Sequence, residues 1–287
     1  MNTPIPSTAV AAPSRVPAKT LAALLVFLAV ALCAPFFVQS FGGNYWVRVL
    51  DFALLYIMLA LGLNIVVGFA GLLDLGYIAF YAVGAYSMAL LGSPHLANQF
   101  EWIHQLFPNG LHLTMWLVLP CAVLIAATFG VLLGAPTLKL RGDYLAIVTL
   151  GFGEIIRIFM NNLDRPVNIT NGPKGITAVD PVHIFGFDFS KSHEIFGFKF
   201  TPVFMYYYLL VFLVIVIVFI CLRLQNSRIG RAWVAIREDE IAAKAMGINT
   251  RNMKLLAFGM GAVFGGISGA LFASFQGFVS PESFSLM

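Results

Sequence analysis

The stretch PVFMYYYLLVFLVIVIVFICL (residues 202–222) decides the fold class, because it is long, strongly apolar and free of charged side chains. A helix needs about 20 consecutive apolar residues to cross the hydrocarbon core of a bilayer. Similar runs recur along the chain, at residues 21–38, 49–67, 78–91, 114–134, 144–160 and 255–279. The sequence therefore predicts an all-α, polytopic integral membrane protein with about seven transmembrane helices.

The overall composition excludes several other classes of protein. Of the 287 residues, 60% are hydrophobic and 10% are charged, whereas soluble domains average about 45–50% apolar and about 25% charged residues. The basic residues form no stripe with interleaved aromatics, so no nucleic-acid partner is expected. The three cysteines lie in apolar runs and the five histidines show no ligand spacing, so no metal site is expected either.

One apolar run is interrupted by GFAGLLDLGY (residues 68–77), which contains glycines and a single acid. Non-helical backbone at membrane depth is tolerated only where protein or a water-filled cavity surrounds it. We therefore predict one broken helix near residues 68–77. Asn64 and Asp74 flank the break and are candidates for contact with a transported solute; the alternative is a tight bend that only packs.

The distribution of Lys and Arg predicts the orientation of the chain. Basic residues are enriched on the cytoplasmic side of membrane proteins, and a cytoplasmic N-terminus places most of them there. On this basis residues 1–20 are a flexible cytoplasmic tail and residues 21–287 form one transmembrane domain. Residues 161–201 are then an outside loop, and residues 223–254 are a cytoplasmic segment.

The cytoplasmic segment contains GRAWVAIREDEIAAKAMGIN (residues 230–249). Residues 232–246 have no Gly or Pro and alternate apolar with charged positions, which predicts one short amphipathic helix. Gly247 follows it, where a left-handed helix cap is favoured. Such a helix can dock in the groove of a partner protein; the alternative is a solvated loop helix.

The order Glu240-Ile241-Ala242-Ala243, followed by Gly247-Ile248, resembles the EAA motif of ABC-importer permeases. The surrounding IREDEIAAKAMGIN is similar to the form of this motif in LivM-type permeases for branched-chain amino acids. Four other stretches also resemble that family, at residues 61–86, 142–157, 170–176 and 255–273. Members of the family usually continue beyond the equivalent of SPESFSLM (residues 280–287), so we expect a C-terminus that is truncated relative to the family.

The resemblance implies a multi-pass subunit of the bacterial inner membrane that works with several partners. These are a second permease subunit of the LivH type, two ATP-binding subunits and an extracytoplasmic solute-binding protein. This chain has no G-x-x-x-x-G-K-[ST] motif, so ATP and Mg would be bound by the ATPase, and no cofactor or enzyme activity is expected here. The residues implied to couple to the ATPase are Arg231, Trp233, Arg237, Glu240, Ala242, Ala243, Gly247 and Ile248.

The function implied is that of a translocation subunit in an ATP-driven importer of leucine, isoleucine and valine. One alternative is an ABC permease for urea or short-chain amides, and another is an ion-coupled secondary transporter. Glu154 is the main support for the ion-coupled class, because an ionisable residue at membrane depth is a functional candidate. Arg157 lies one turn later, so the two side chains can also simply pair along the helix.

Two further patterns predict helix contacts. Gly261, Gly265 and Gly269 recur at four-residue spacing, which favours close helix packing; the second permease subunit is one candidate partner for this face. Arg48 and Asp51 have the spacing of an intrahelical pair near the end of a span, and we expect both at the membrane interface.

Overall fold

The computed structural model describes residues 18–138, 140, 142–184, 187–195 and 198–285. Most of the predicted tail lies outside this part of the chain, and residues 18–20 belong to the first helix. Lys139 and Arg141, which contribute to the predicted orientation, also lie outside it. The side of the membrane on which the N-terminus lies remains a prediction.

Helix α1 (Ala18–Asn64) contains the first predicted span and most of the second, whose last residues lie in a π turn (Ile65–Phe69). Its backbone leaves helical geometry at Gly43, with φ 69° and ψ −168°, a conformation that glycine adopts at little steric cost. Two predicted spans are therefore joined through a kink rather than through a polar loop.

Four helical stretches are long and apolar enough to cross a membrane among the described residues. They are Ala29–Phe69, α5 (Met115–Thr137), α7 (Pro202–Gln225) and α10 (Thr250–Gln276). Helix α2 (Ile78–Leu91) is apolar but shorter, and α6 (Asp143–Asn162) carries charged side chains. The chain is a multi-pass, predominantly helical membrane protein; the number of seven spans remains a prediction.

The core is built around α10, which packs against α1, α2 and α5. In its apolar window 72% of residues are buried, compared with 28% in α5 and 33% in α7. Helix α10 is therefore an interior helix, whereas α5 and α7 turn much of their apolar surface outward, as helices that face lipid do.

The glycine row on α10 forms a contact within this chain. An added Cβ at Gly269 would overlap the backbone of Tyr81 in α2, and one at Gly265 would lie 3.0 Å from Cβ of Phe80. At Gly261 it would overlap the side chain of Val66. The candidate partner is thus corrected: these glycines face the chain's own elements and not a second subunit, because α2 and the π turn at the end of the second predicted span approach α10 here.

The connections contain short elements that the sequence did not indicate. Two small helices, α3 (His95–Gln99) and α4 (Glu101–Leu106), follow α2. The described residues of segment 161–201 form a 3₁₀ turn (Gly172–Lys174) and five short strands, β1 (Ile176–Thr177), β2 (His183–Ile184), β3 (Phe187–Asp188), β4 (His193–Ile195) and β5 (Phe198–Phe200). Strands β2 and β3 pair antiparallel, and so do β4 and β5.

The segment 161–201 is fastened to the end of α10. Strand β1 pairs antiparallel with β6 (Phe278–Val279), which directly follows α10 and precedes a 3₁₀ turn (Pro281–Phe284). His112 and Asp180 join this junction to the connection before α5, with Nδ1 and Oδ2 2.7 Å apart. The connections at this end of the helices therefore form one packed layer.

Candidate functional site

The segment between α7 and α10 folds as two helices, α8 (Arg228–Glu238) and α9 (Glu240–Ala245). The prediction of one continuous helix over residues 232–246 is wrong, because the backbone is extended at Asp239, with φ −153° and ψ 111°. The Asp239 carboxylate accepts hydrogen bonds from the N–H groups of Ile241 and Ala242, at 2.8 and 3.0 Å. An N-cap aspartate thus begins a new helix at this point.

Both helices have caps that can be identified from the sequence. The Ser227 hydroxyl accepts a hydrogen bond from the N–H of Gly230 and begins α8. At the end of α9, Gly247 has φ +85° and donates to the carbonyl of Lys244, while Ile248 donates to that of Ala243. This pair of bonds is the Schellman arrangement, so the predicted left-handed cap at Gly247 is confirmed.

The structure divides the predicted coupling residues by exposure. Trp233 and Ala243 are buried, Glu240 and Ile248 are partly buried, and Arg231, Arg237, Ala242 and Gly247 are exposed. The indole of Trp233 donates from Nε1 to the carbonyl of Met253 at 2.8 Å, and this bond ties α8 to the start of α10. Buried members of the set therefore hold the segment in place. Arg231, Ala242 and Gly247 are exposed to solvent, whereas the exposed Arg237 is already bonded to another part of the chain, the carbonyl of Gly68.

A buried ion pair holds α9 against α10. Nζ of Lys254 lies 2.7 Å from Oε2 of Glu240, and the two side chains are 9% and 31% exposed. A lysine this deeply buried requires a partner of opposite charge, because an unpaired ammonium would lose its hydration. Glu240 therefore faces the protein rather than the solvent. Residue spacing does not predict this pair, because Glu240 and Lys254 lie in different helices.

Two large apolar side chains are exposed on α9 and its C-cap, beside the exposed Lys244. Ile241 is 72% exposed and Met246 is 84% exposed, and Ala242 lies beside them. These exposed apolar side chains differ from those on α5 and α7, because the segment between α7 and α10 is rich in charged residues and is predicted to lie outside the bilayer. Such a surface is typical of a protein contact.

The predicted broken helix is present and lies against this segment. After α1 the chain forms a π turn (Ile65–Phe69), then loses regular structure until α2 begins at Ile78. Arg237 donates from Nη1 to the carbonyl of Gly68 at 2.6 Å. Ala70, Gly71 and Leu72 from the break share a cleft of about 340 Å³ with Arg237, Glu240 and Lys254.

Asn64 and Asp74 occupy different environments on the two sides of the break. Asn64 is exposed and lies beside Gly68, whereas Asp74 is 4% exposed. One carboxylate oxygen of Asp74 accepts from the N–H of Gly76 at 2.9 Å, and the other is buried with no hydrogen-bond partner among the described residues. Their role in solute contact remains a prediction.

Glu154 and Arg157 form an intrahelical pair on α6. Oε2 of Glu154 accepts from Nε of Arg157 at 2.9 Å and lies 2.8 Å from Nη2. The side chains are 37% and 36% exposed, so the pair lies on the helix surface. This geometry matches the alternative in which the two side chains simply pair along the helix. Glu154 is therefore not an isolated carboxylate in the interior.

Asp51 is a buried acid that sequence reasoning misplaced. It is 0% exposed, and neither carboxyl oxygen has a hydrogen-bond partner among the described residues. Arg48 donates instead to Oε1 of Gln276 at 2.7 Å, and its guanidinium lies over the ring of Phe275. The expected Arg48–Asp51 pair therefore forms no direct hydrogen bond, because α10 supplies a different partner for the arginine. The position of these residues at the membrane interface remains a prediction.

Among the described residues, no three His, Cys, Asp or Glu side chains are close enough to hold a metal ion. As a whole, a capped and ion-paired helical segment rests against a break in a membrane helix.

Comparison with known proteins gives a consistent result. The family model for the permease component of the branched-chain amino acid transport system matches residues 45–287. The high-affinity branched-chain amino acid transport system permease protein LivM of Escherichia coli K12 is 44% identical over 274 residues, covering 91% of this chain and 59% of its own length. The chain thus spans less than two thirds of that relative.

More distant relatives include both types of permease subunit. The probable LivM protein of Methanocaldococcus jannaschii is 26% identical over 80% of this chain and 68% of its own length. The LivH permease protein of Salmonella typhimurium is 25% identical over 79% of this chain and 68% of its own length. No solved structure matches the chain. Because the family model covers most of its residues, this chain belongs to the family of permease components of branched-chain amino acid transport systems.

Proposed function

We propose that this chain is the translocation subunit of an ATP-driven importer of the branched-chain amino acids leucine, isoleucine and valine. Its family and the names of its relatives support this substrate class. Its partners would be a LivH-type second permease subunit, two ATP-binding subunits and an extracytoplasmic solute-binding protein. The complex would lie in the bacterial inner membrane, and ATP and Mg would be bound by the ATPase subunits.

The observation that carries the proposal is the exposed apolar surface of α9 and its C-cap, formed by Ile241, Ala242 and Met246. A partner binds such a surface most effectively when the surface is already rigid, because less conformational entropy is then lost. The caps at Asp239 and Gly247 and the Glu240–Lys254 pair supply that rigidity. The ATP-binding subunit is the occupant that we propose for this face.

The proposed cycle is alternating access. Closure of the ATPase subunits on ATP would move the segment of α8 and α9, and this motion would reach the membrane helices through α10 and the break near residues 68–77. The solute-binding protein would deliver the amino acid at the opposite end, where segment 161–201 is fastened to α10 by β1 and β6.

Co-purification tests the docking face. We expect Ile241→Asp and Met246→Asp to lower recovery of the ATPase subunit with the tagged permease by at least tenfold, since a buried carboxylate in an apolar contact is costly. The matched control is Leu106→Asp in α4, which introduces the same charge at a residue that is 67% exposed and belongs to a connection predicted to lie outside. Equal recovery from all three variants would contradict the proposed docking face.

Uptake of labelled leucine tests the substrate. A strain deleted for the gene would be complemented with its full reading frame, and unlabelled valine and urea would be added as competitors. We expect uptake to depend on the gene and valine alone to compete. Competition by urea would favour the amide permease, and uptake that survives depletion of ATP would favour an ion-coupled carrier.

A further inference from the structure

The side chain of Arg237 joins two parts of the chain that are far apart in sequence. It belongs to α8, and its Nη1 donates to the carbonyl of Gly68 in the π turn at 2.6 Å. Its aliphatic part lies against Gly71, where an added Cβ would overlap Cγ of the arginine. One side chain therefore contacts the break through both a hydrogen bond and close packing.

The carbonyl of Gly68 is a group that needs an external donor. The π turn ends here, with the N–H of Ala70 bonded to Ile65 and that of Leu72 bonded to Val66. The chain then turns away through Gly71, at φ +69°. The last carbonyls of a helix lack intrahelical partners and carry partial negative charge, so a guanidinium is well suited to bind one.

The backbone of Arg237 is held in place by the contacts that α8 and α9 make with α10. Trp233, one turn earlier in α8, is fully buried and donates to the carbonyl of Met253 in α10. Glu240 lies in α9 and pairs with Lys254, also in α10. Because both helices are fixed to α10, a force on α9 cannot be absorbed by rotation of α8 alone.

The far side of the break is connected to α6. The N–H of Leu75 donates to Oγ1 of Thr149 at 3.0 Å, and Gly76 packs directly on the backbone of Thr149. Displacement of the break would therefore act on α6 through these contacts. π turns within helices frequently occur at functional sites.

We propose that Arg237 is a positioning residue that transmits movement of the α8–α9 segment to the break at residues 68–76, and that it acts from inside the subunit instead of by binding the ATPase. This inference rests on the proposed function, since it takes the segment to be the ATPase docking site. On this proposal, Arg237 couples docking of the ATPase on the α8–α9 segment to rearrangement of the membrane helices.

The test uses the complete transporter in proteoliposomes, with its ATPase subunits and solute-binding protein. Arg237→Gln is compared with Arg228→Gln, which removes an exposed arginine from the first turn of the same helix. The readouts are ATPase recovery, ATP hydrolysis and leucine import. We expect Arg237→Gln to lower import per ATP hydrolysed by at least tenfold while the ATPase stays bound, and Arg228→Gln to stay within twofold of wild type.

Partial recovery in Arg237→Lys would support the proposal further, because lysine keeps the cation and one donor but lacks the planar fork. Unchanged import per ATP in Arg237→Gln would overturn the proposal. Loss of ATPase binding in that variant would overturn it too, since Arg237 would then belong to the docking surface and the proposed function would stand. If the wild-type permease does not bind an ATPase at all, the proposed function is contradicted, and so is the proposed role of Arg237.

A second measurement needs no variant and guards against a variant that does not fold. Amide hydrogen exchange would be followed in the wild-type complex with and without ATP. We expect ATP to change exchange at residues 70–76, because these amides adjoin the contact of Arg237 with the break. Identical exchange in both states would overturn the proposal.

Discussion

Nζ of Lys254 and Oε2 of Glu240 lie 2.7 Å apart, which fixes the first turn of α9 to the first turn of α10. Lys254 is 9% exposed, so its ammonium group has exchanged most of its hydration for one carboxylate. The pair links the polar segment electrostatically to the interior helix of the membrane domain. Removal of either member leaves the other charge without its partner, and the two remaining charges differ in burial.

Removal of Glu240 alone is expected to be the most damaging change to this pair. Glu240→Ala leaves a buried cation without a partner, which costs about 3–5 kcal/mol in buried pairs. Lys254→Met leaves only a partly exposed carboxylate. We therefore expect thermal unfolding in detergent to show the order wild type, Lys254→Met, Glu240→Ala from most to least stable. The double variant should recover part of the loss, and strict additivity of the two changes would contradict the pairing.

Asp239 is expected to determine where α9 begins. Asp239→Ala removes the acceptor for the N–H groups of Ile241 and Ala242, a loss of about 0.5–2 kcal/mol for an N-cap. Asp239→Asn keeps an oxygen acceptor and serves as the control. Faster amide exchange at these two residues in the alanine variant alone is the expected result. If the asparagine variant exchanges equally fast, the charge matters more than the cap.

The glycine row predicts a sharp contrast between two glycines. An alanine at Gly269 would overlap the backbone of Tyr81, and overpacking of this kind costs about 1–3 kcal/mol. Gly151 on α6 has no atom within 4 Å of an added Cβ, so Gly151→Ala should be neutral or stabilise by about 0.5–1 kcal/mol. Unfolding midpoints in detergent measure both. Equal effects would mean that α10 and α2 are not in the contact described here.

Substitution of Asp51 is expected to lower transport activity without lowering the stability of the fold. Its two carboxyl oxygens are buried without hydrogen-bond partners among the described residues, and each unsatisfied buried group costs about 1–3 kcal/mol. Asp51→Leu should therefore unfold at the same temperature as wild type or higher, while leucine import falls. We expect import to fall because an ionisable group within a membrane span is energetically costly and is therefore a candidate for a functional role. A clear drop in the unfolding temperature would show that Asp51 stabilises the fold instead.

Glu154 is expected to be dispensable for transport. Its carboxylate pairs with Arg157 on the surface of α6, and an intrahelical pair of this kind contributes about 0.2–0.5 kcal/mol. Glu154→Gln should leave leucine uptake within about twofold of wild type at every pH tested. A variant that loses only a pH-dependent part of its uptake would revive the ion-coupled alternative.

Local patterns were enough to predict several features. The apolar runs predicted helices at the correct places, and the glycine-rich stretch at residues 68–77 predicted a break that the structure contains. Gly247 predicted the left-handed cap of α9. The signal for the N-cap at Asp239 was also present, as an aspartate directly before Glu-Ile-Ala-Ala, but the strong helix propensity on both sides concealed it.

What the sequence by itself determined is which segments are apolar, where a helix must stop and which family the motifs resemble, because these depend on residue type and spacing along the chain. Only the tertiary structure decided that Glu240 faces Lys254, that Arg237 reaches Gly68, and that Arg48 prefers Gln276 to Asp51. Each of these pairings joins different secondary-structure elements, and those of Arg237 and Arg48 join elements distant in sequence. Their partners are chosen by the way α10 packs against its neighbours, and no periodicity along the chain records that packing.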